Sequence, residues 1–476
     1  GGASGLVRAA AVIASGVAVG GAGRPASNPA SVRAAPTPPP PDGPLSLGFT
    51  LRFLDGPSHG KAVCNDGSPA AFYFKRGADP TRWVLHQQGG WWCWDEYSCK
   101  VRWEHFANHS AGEHRTLMST VELASLTAQY DTFNGEKNTG IMSTTPANPM
   151  ANASKVFLVY CSSDAHAGNR SAGAVRGAGT SQWHFRGKEI VRAMVAELAA
   201  HDNLGAAHQV VLTGGSAGGM ATINNADYVH QLIQAVAPEA KYVAMPDSGY
   251  FLDVSPGAMC SLPDRYECLC AAGADTTMGA VGSWTQPGGH SWLGRGQTLA
   301  QQVQAMAVLS QGLVDASCAD HYGKHGAWRC YLGQYAAPFL EAPSLFLQNQ
   351  IDEWQGFWNG FFNYTNDRDA YDYAVWFRQT TQRTLREVTA ASARVHVFSP
   401  NCYHHGLTYD TIFWEVTVKT WTSARMLGEL LGGGVVPQLV LDECSGLPCS
   451  PATEGHSDCV SVPPPAKTPF QLPLTI

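Results

Sequence analysis

Short apolar runs of four or five residues recur along the middle of the chain, separated by stretches whose apolar positions return every three or four residues. Residues 71–74 and 81–85 read as early strands, and 156–159 as another that runs into Tyr160-Cys161. Over 184–201, Ile190, Val191, Met194, Val195 and Leu198 fall on one face of a helix. Residues 209–213 form a β-branched run directly before glycines, and 219–236 return to helical spacing. Residues 343–347 and 395–399 are later strand candidates. Strands alternating with helices predict an α/β fold, with a mostly parallel central sheet and helices on both faces.

Outside that region the periodicity is lost. Arg8 precedes a small and apolar run over 9–20, too short to span a bilayer easily, so 1–22 is expected to be a signal-peptide-like or truncated start. Residues 23–45, with Pro38–Pro41, suit an extended linker. One α/β-hydrolase-like domain is expected over 46–437, followed by a Cys- and Pro-rich tail over 438–476 that carries Cys444, Cys449 and Cys459.

Composition narrows the classes. The chain of 476 residues is 44% apolar and only 14% charged, which suits a substantial core rather than disorder. A net charge of −7 with dispersed basic residues argues against nucleic-acid binding. Thirteen cysteines without paired zinc-type spacing favour disulfides and an oxidising compartment, as do Asn-x-Ser/Thr acceptors at Asn108, Asn152, Asn169 and Asn363. A secreted or extracellular location is expected, with no stable membrane anchor. No metal or nucleotide motif stands in the right context, so no cofactor is expected.

The sharpest chemical signal is Gly214-Gly215-Ser216-Ala217-Gly218, a Gly-x-Ser-x-Gly between a strand and a helix. Small residues there permit a sharp turn that lifts the serine hydroxyl above the sheet, and the following helix N-terminus favours developing negative charge. No lysine follows, which removes the phosphate-loop alternative. Acyl transfer also needs oxyanion donors: the backbone N–H of Ala217, and a second from Gly89-Gly90-Trp91-Trp92-Cys93 after an earlier strand. The order Ser, acid, His places the remaining partners downstream. Asp352 and either His404 or His405 follow late strands, while Asp315, Asp320 and Asp410 stay open as acids.

Together with the motifs Gly89–Cys93 and Gly214–Gly219, the segments Tyr160-Cys161-Ser162-Ser163-Asp164, Asp247-Ser248-Gly249-Tyr250-Phe251-Leu252-Asp253, Trp328-Arg329-Cys330, Asp352-Glu353-Trp354-Gln355 and Asn401-Cys402-Tyr403-His404-His405 resemble the pectin acetylesterase/Notum family. The likeness covers about residues 46–420. It implies a secreted, metal-free α/β-hydrolase with Ser216 as nucleophile, Asp352 as acid and His405 as base. By the same likeness the oxyanion donors fall on the backbones of Gly90, Trp91 and Ala217, and disulfides on Cys64–Cys161, Cys93–Cys99 and Cys318–Cys330.

The resemblance implies carboxylic ester hydrolysis. An acetylated, pectin-like polysaccharide is the expected substrate, and a Notum-like palmitoleoyl-protein or other lipid ester is the alternative. A third reading is a catalytically inactive carbohydrate-binding or signalling-interaction protein. Trp354, Trp358, Phe361 and Phe362 are candidates for stacking on sugar rings, and Trp92 is a further candidate for substrate binding, with a packed or lid-like loop or an acyl pocket as competing roles. Residues 354–362, rich in Trp and Phe, depart from any family pattern.

Overall fold

The computed structural model describes residues 48–447 except 57–58, 109–116, 122, 124–139, 173–181, 255–297, 360, 362–363, 365–367, 410 and 445. The expected start and linker over 1–45, the cysteines Cys260, Cys268, Cys270, Cys449 and Cys459, Phe362 and the acceptor Asn363 lie outside the described residues, as does the side chain of Asn108.

Among the described residues nine strands form one sheet: β1 (Thr50–Phe53), β2 (Ala71–Lys75), β3 (Asp79–Gln87), β4 (Ala153–Leu158), β5 (Gln209–Gly215), β6 (Lys241–Asp247), β7 (Ser344–Leu347), β8 (Val395–Ser399) and β9 (Leu439–Leu441). Their spatial order is β1-β2-β4-β3-β5-β6-β7-β8-β9. β2 pairs antiparallel with β1 and β4, and every later neighbour is parallel. The helices that matter here are α1 (Glu96–Asn108), α2 (Gly187–His201), α3 (Ala217–Val236), α4 (Leu299–Ser310), α5 (Ala316–Gly326), α6 (Glu353–Asn359), α7 (Arg368–Ala391) and α8 (Ser423–Gly432). This is the α/β-hydrolase-like class.

Successive strand residues point to opposite faces, and the core divides accordingly. Val210 and Leu212 of β5 pack with Ile190, Met194 and Leu198 of α2, Ile223 and Val229 of α3, and Phe377 and Leu385 of α7. Val211, between them, faces the other side with Val243, Leu345, and Met426 and Leu427 of α8. Each such buried aliphatic side chain contributes roughly 1.5–3 kcal/mol. Because β3 and β5–β8 run parallel, their carboxyl ends open on one edge, where ligands bind in open α/β sheets.

The boundary expected at residue 437 lies too early. Leu439–Leu441 is the last strand of the sheet, in parallel register with β8. Gln438 Nε2 anchors its approach on the carbonyls of Thr389 (2.7 Å) and Ser392 (2.6 Å). Beyond the strand, Gln350 Nε2 donates to the carbonyls of Ser399 (2.9 Å) and Asp442 (2.8 Å). Asn401 Nδ2 donates to Gly446 O at 2.9 Å, and Arg378 Nη1 to the same oxygen at 2.6 Å. A segment with the composition of a tail is thus drawn in by three apolar residues and by side chains that satisfy its carbonyls.

Three bridges staple the loops, Cys64–Cys161, Cys93–Cys99 and Cys318–Cys330. Cys402 and Cys444 are disulfide-bonded as well. Cys64–Cys161 encloses 97 residues of separation and ties the chain before β2 to the end of β4. Closing a loop of that length removes more unfolded-state entropy than closing a short one.

Candidate active site

Ser216 stands at the turn between β5 and α3 with φ 59° and ψ −125°. A non-glycine residue with positive φ is strained, and the surroundings hold it there. A Cβ at Gly218 would collide with the carbonyl of Gln87 at the end of β3. Only glycine lets the first turn of α3 seat directly on the neighbouring strand. Ser216 N donates to Asp247 O at 3.0 Å, so the elbow is also pinned to β6.

The loop after β3 runs against this turn. A Cβ at Gly89 would strike Gly215 O and lie 3.2 Å from Ser216 Cβ. Gly90 (φ 118°) and Trp91 (φ 62°) follow in left-handed conformations. Among the described residues, the N–H groups of Gly90, Trp91 and Ala217 donate to no backbone carbonyl. Orphan donors beside a strained serine are what an oxyanion requires. Cys93–Cys99 and the Cys93 N to Ser163 O bond (3.2 Å) close the loop's far end.

Sequence reasoning did not reach what holds the near end. His166 Nε2 donates to Gln88 O at 3.0 Å, and Tyr160 N donates to Gln88 Oε1 at 2.9 Å. Burial pulls His166 down to about 4, so its ring is neutral at physiological pH. The nearby Asp164 carboxyl is pushed up to about 6 by burial, against hydrogen bonds from Ser162 and from backbone N–H groups that lower it. The signal in the sequence was the polar run Ser162-Ser163-Asp164-Ala165-His166 at a strand's carboxyl end.

β7 and β8 deliver the other two nominated residues. An isolated parallel bridge, Ile351 to Tyr403, continues their pairing beyond the strands and sets the two loops side by side. His405 Nδ1 donates to Asp352 Oδ2 at 2.9 Å. Asp352 is fully buried, and it also accepts from Gln355 N at 2.8 Å and Gln348 Nε2 at 3.3 Å. With Nδ1 as the donor, the neutral ring carries its lone pair on Nε2. That nitrogen is buried with no hydrogen-bond partner among the described residues. His404 turns elsewhere, its Nδ1 donating to Gly406 O at 2.8 Å. Burial pulls His405 down, but Asp352, then Asp247 and Glu353, outweigh it, and the net direction is up.

A layer of aromatic rings covers this edge. Trp91 lies 4.4 Å from Trp358, 5.6 Å from Trp94 and 5.8 Å from Trp354, centroid to centroid. Trp92 packs on Phe251 and Trp354, and Trp354 stacks on the His405 ring at 6.0 Å. Trp92 and Trp354 are buried, whereas Trp91 and Trp358 are half-buried. Of the three tryptophans nominated for substrate contact, Trp358 presents the most surface. Among the described residues no cluster of three or more His, Cys, Asp or Glu is placed to hold a metal ion, and no helix is long and apolar enough to cross a membrane.

Residues 45–278 match the family model described as Pectinacetylesterase. The chain is 27% identical over 370 residues to the Mus musculus palmitoleoyl-protein carboxylesterase NOTUM, covering 77% of this chain and 62% of that protein. The Drosophila melanogaster protein of the same name is 28% identical over 73% of this chain and 43% of its own length. Pectin acetylesterase 11 of Arabidopsis thaliana is 24% identical over 84% of this chain and 91% of its own. The match therefore spans less than two thirds of the mouse and fly relatives, and nearly all of the plant one.

Proposed function

The chain belongs to the pectin acetylesterase/Notum family, and from that premise we propose that it is a secreted serine carboxylesterase acting on O-acetyl groups of a pectin-like polysaccharide. The observation that carries the catalytic part is the His405–Asp352 hydrogen bond, with the opposite ring nitrogen of His405 buried and without a hydrogen-bond partner among the described residues. Ser216 is the nucleophile: His405 Nε2 takes its proton as Oγ attacks the ester carbonyl. Asp352 holds the tautomer and stabilises the imidazolium. The N–H groups of Gly90, Trp91 and Ala217 receive the oxyanion. His405 then protonates the leaving alcohol, and water, activated in the same way, releases acetate from the acyl-enzyme.

The tryptophan layer supports a small acyl group. Trp91, Trp92, Trp94 and Trp354 pack on one another beside the candidate oxyanion loop, so the space there is occupied by rings. Trp358, half-buried at the margin, is suited to a sugar ring. The pectin acetylesterase relative matches along 91% of its own length, in line with this reading. The Notum relatives favour a second one, a palmitoleoyl-protein esterase, in which the same apolar rings line an acyl channel.

The test is hydrolysis of acetylated pectin and xylan, beside p-nitrophenyl esters of two to sixteen carbons, by the purified chain and its Ser216→Ala variant. Acetate release and a preference for short chains, both lost in the variant, are expected. Efficient cleavage of long-chain esters without acetate release selects the second reading. Activity that survives Ser216→Ala overturns the nucleophile.

A further inference from the structure

Asp247 ends β6 with its side chain fully buried. Among the described residues, the hydrogen bonds recorded to its carboxylate come from the residues just after His405 and from its own neighbour. Asp247 Oδ2 accepts from Leu407 N (2.8 Å), Thr408 N (2.8 Å) and Thr408 Oγ1 (2.7 Å). Oδ1 accepts from Leu407 N at 2.9 Å and from Ser248 Oγ at 3.1 Å. Ser248, itself in a left-handed conformation at φ 47°, accepts at Oγ from Gly406 N at 2.8 Å. The three backbone N–H groups that follow His405 are therefore all held by one dipeptide.

The same dipeptide reaches the other two loops through its backbone. Asp247 O accepts from Ser216 N at 3.0 Å, and Ser248 N donates to Leu347 O at 2.9 Å, at the end of the strand that leads to Asp352. A Cβ at Gly249 would collide with Gly219 and Met220 in the first turn of α3, so the motif lies flush against the elbow.

We propose that Asp247 and Ser248 are positioning residues that fix His405 relative to Ser216 by clamping the backbone of residues 406–408 to the nucleophile elbow. This rests on reading Ser216 and His405 as nucleophile and base. It gives the Asp247–Asp253 motif a task beyond ending a strand. An error of about 1 Å in such a separation costs on the order of a hundredfold in rate.

Charge provides a readout that a purely structural residue would not move. Burial pushes the Asp247 carboxyl up on balance, and the Leu407 and Thr408 donors, with His405, pull it part of the way back down. Two backbone N–H groups and a threonine hydroxyl form a donor set that suits the ionised form. The carboxylates acting on His405 are Asp352, Asp247 and Glu353, and the Trp354 ring covers one of its faces. Asp247→Asn keeps the shape and removes one of those negative charges, which lowers the pKa of His405. Ser248→Ala removes the Gly406 contact and leaves the charge.

The experiment measures kcat and KM for p-nitrophenyl acetate across pH with the full chain, Asp247→Asn and Ser248→Ala, with Ser216→Ala as the control. In Asp247→Asn, kcat is expected to fall about tenfold or more with KM changed little, and the acid limb of kcat/KM to move to lower pH. In Ser248→Ala, kcat falls less and the limb stays. Wild-type kcat in both variants, or a loss confined to KM, overturns the proposal, and so does an unmoved limb in a folded Asp247→Asn. If Asp247→Asn does not fold, Ser248→Ala decides alone through kcat. If the wild-type chain cleaves no ester, the esterase reading fails by itself. Hydrogen exchange at Gly406, Leu407 and Thr408 then decides the clamp, with protection expected to drop in Ser248→Ala and unchanged protection overturning it.

Discussion

The bond between His405 and Asp352 sets which ring nitrogen is free, so its chemistry is tested by a change of one atom. Asp352→Asn places an amide where the carboxylate accepts from Nδ1. The imidazole must then turn to the other tautomer, with a proton on the nitrogen proposed to receive one from Ser216. A loss in kcat of about 10⁴-fold with KM little changed is expected, read from ester hydrolysis by a variant of normal thermal stability. A loss below tenfold removes Asp352 from the proposed triad. At this scale the chemistry was only partly legible. Gly-x-Ser-x-Gly announces itself because the turn demands small residues within five positions. Spacing alone left His404 and His405 equal, because their difference lies in which of them reaches a carboxylate 53 residues away. Asp247 was legible only as part of a motif, since the N–H groups it binds belong to a loop 160 residues later.

Among the elements, the loop after β3 offers a sharp test. Gly89→Ala introduces a methyl against Gly215 O, and neither partner is a flexible side chain. The loop must retreat and take the Gly90 and Trp91 donors with it. We expect kcat to drop by roughly 10²–10³-fold, the cost of losing an oxyanion donor, with the far-ultraviolet circular dichroism unchanged; full activity would separate this loop from the oxyanion. The elements that pattern reading recovers are those with plain apolar runs, such as β5 and α2. α7 escapes it because its buried face carries Thr380, Thr381, Thr384 and Thr389 among Tyr373, Phe377 and Leu385. Thr381 and Thr389 return their hydroxyls to the carbonyls of Phe377 and Leu385, so a polar residue is buried with its hydrogen bond made. β6 is disguised by Pro246, which a central strand rarely tolerates; it sits opposite Gly214, one residue from the strand's end.

The molecule as a whole carries histidines that it keeps neutral. His86 of β3 is fully enclosed, stacked on Phe157 at 5.1 Å, with neither ring nitrogen hydrogen-bonded among the described residues. Burial pulls it down to about 3, with His166 adding to the effect. In the unfolded chain this histidine takes its proton near pH 6.5. From about pH 6.5 down toward about 3, the unfolded state thus binds a proton that the native state refuses, and stability falls as pH falls. His86→Phe removes that linkage and two unsatisfied polar atoms. Denaturant melts should show a variant at least as stable at pH 7, with the acid-side decline shallower by about 1 kcal/mol per pH unit. An unchanged slope would mean that His86 is protonated inside the fold. The domain edges were the least legible feature at this scale, since composition marks residues 438–447 as a tail while Gln350, Asn401 and Arg378 use that stretch as a partner. That arrangement has a consequence for synthesis. The ribosome makes the nucleophile elbow more than two hundred residues before Gly446, and the loops bearing Asp352 and His405 gain the contacts of Gln350 and Asn401 with Asp442 and Gly446 only once that stretch has emerged. A growing chain can therefore order its first five strands around an inert serine, and the hydrolytic machinery is fully braced only once residues 438–446 have been made.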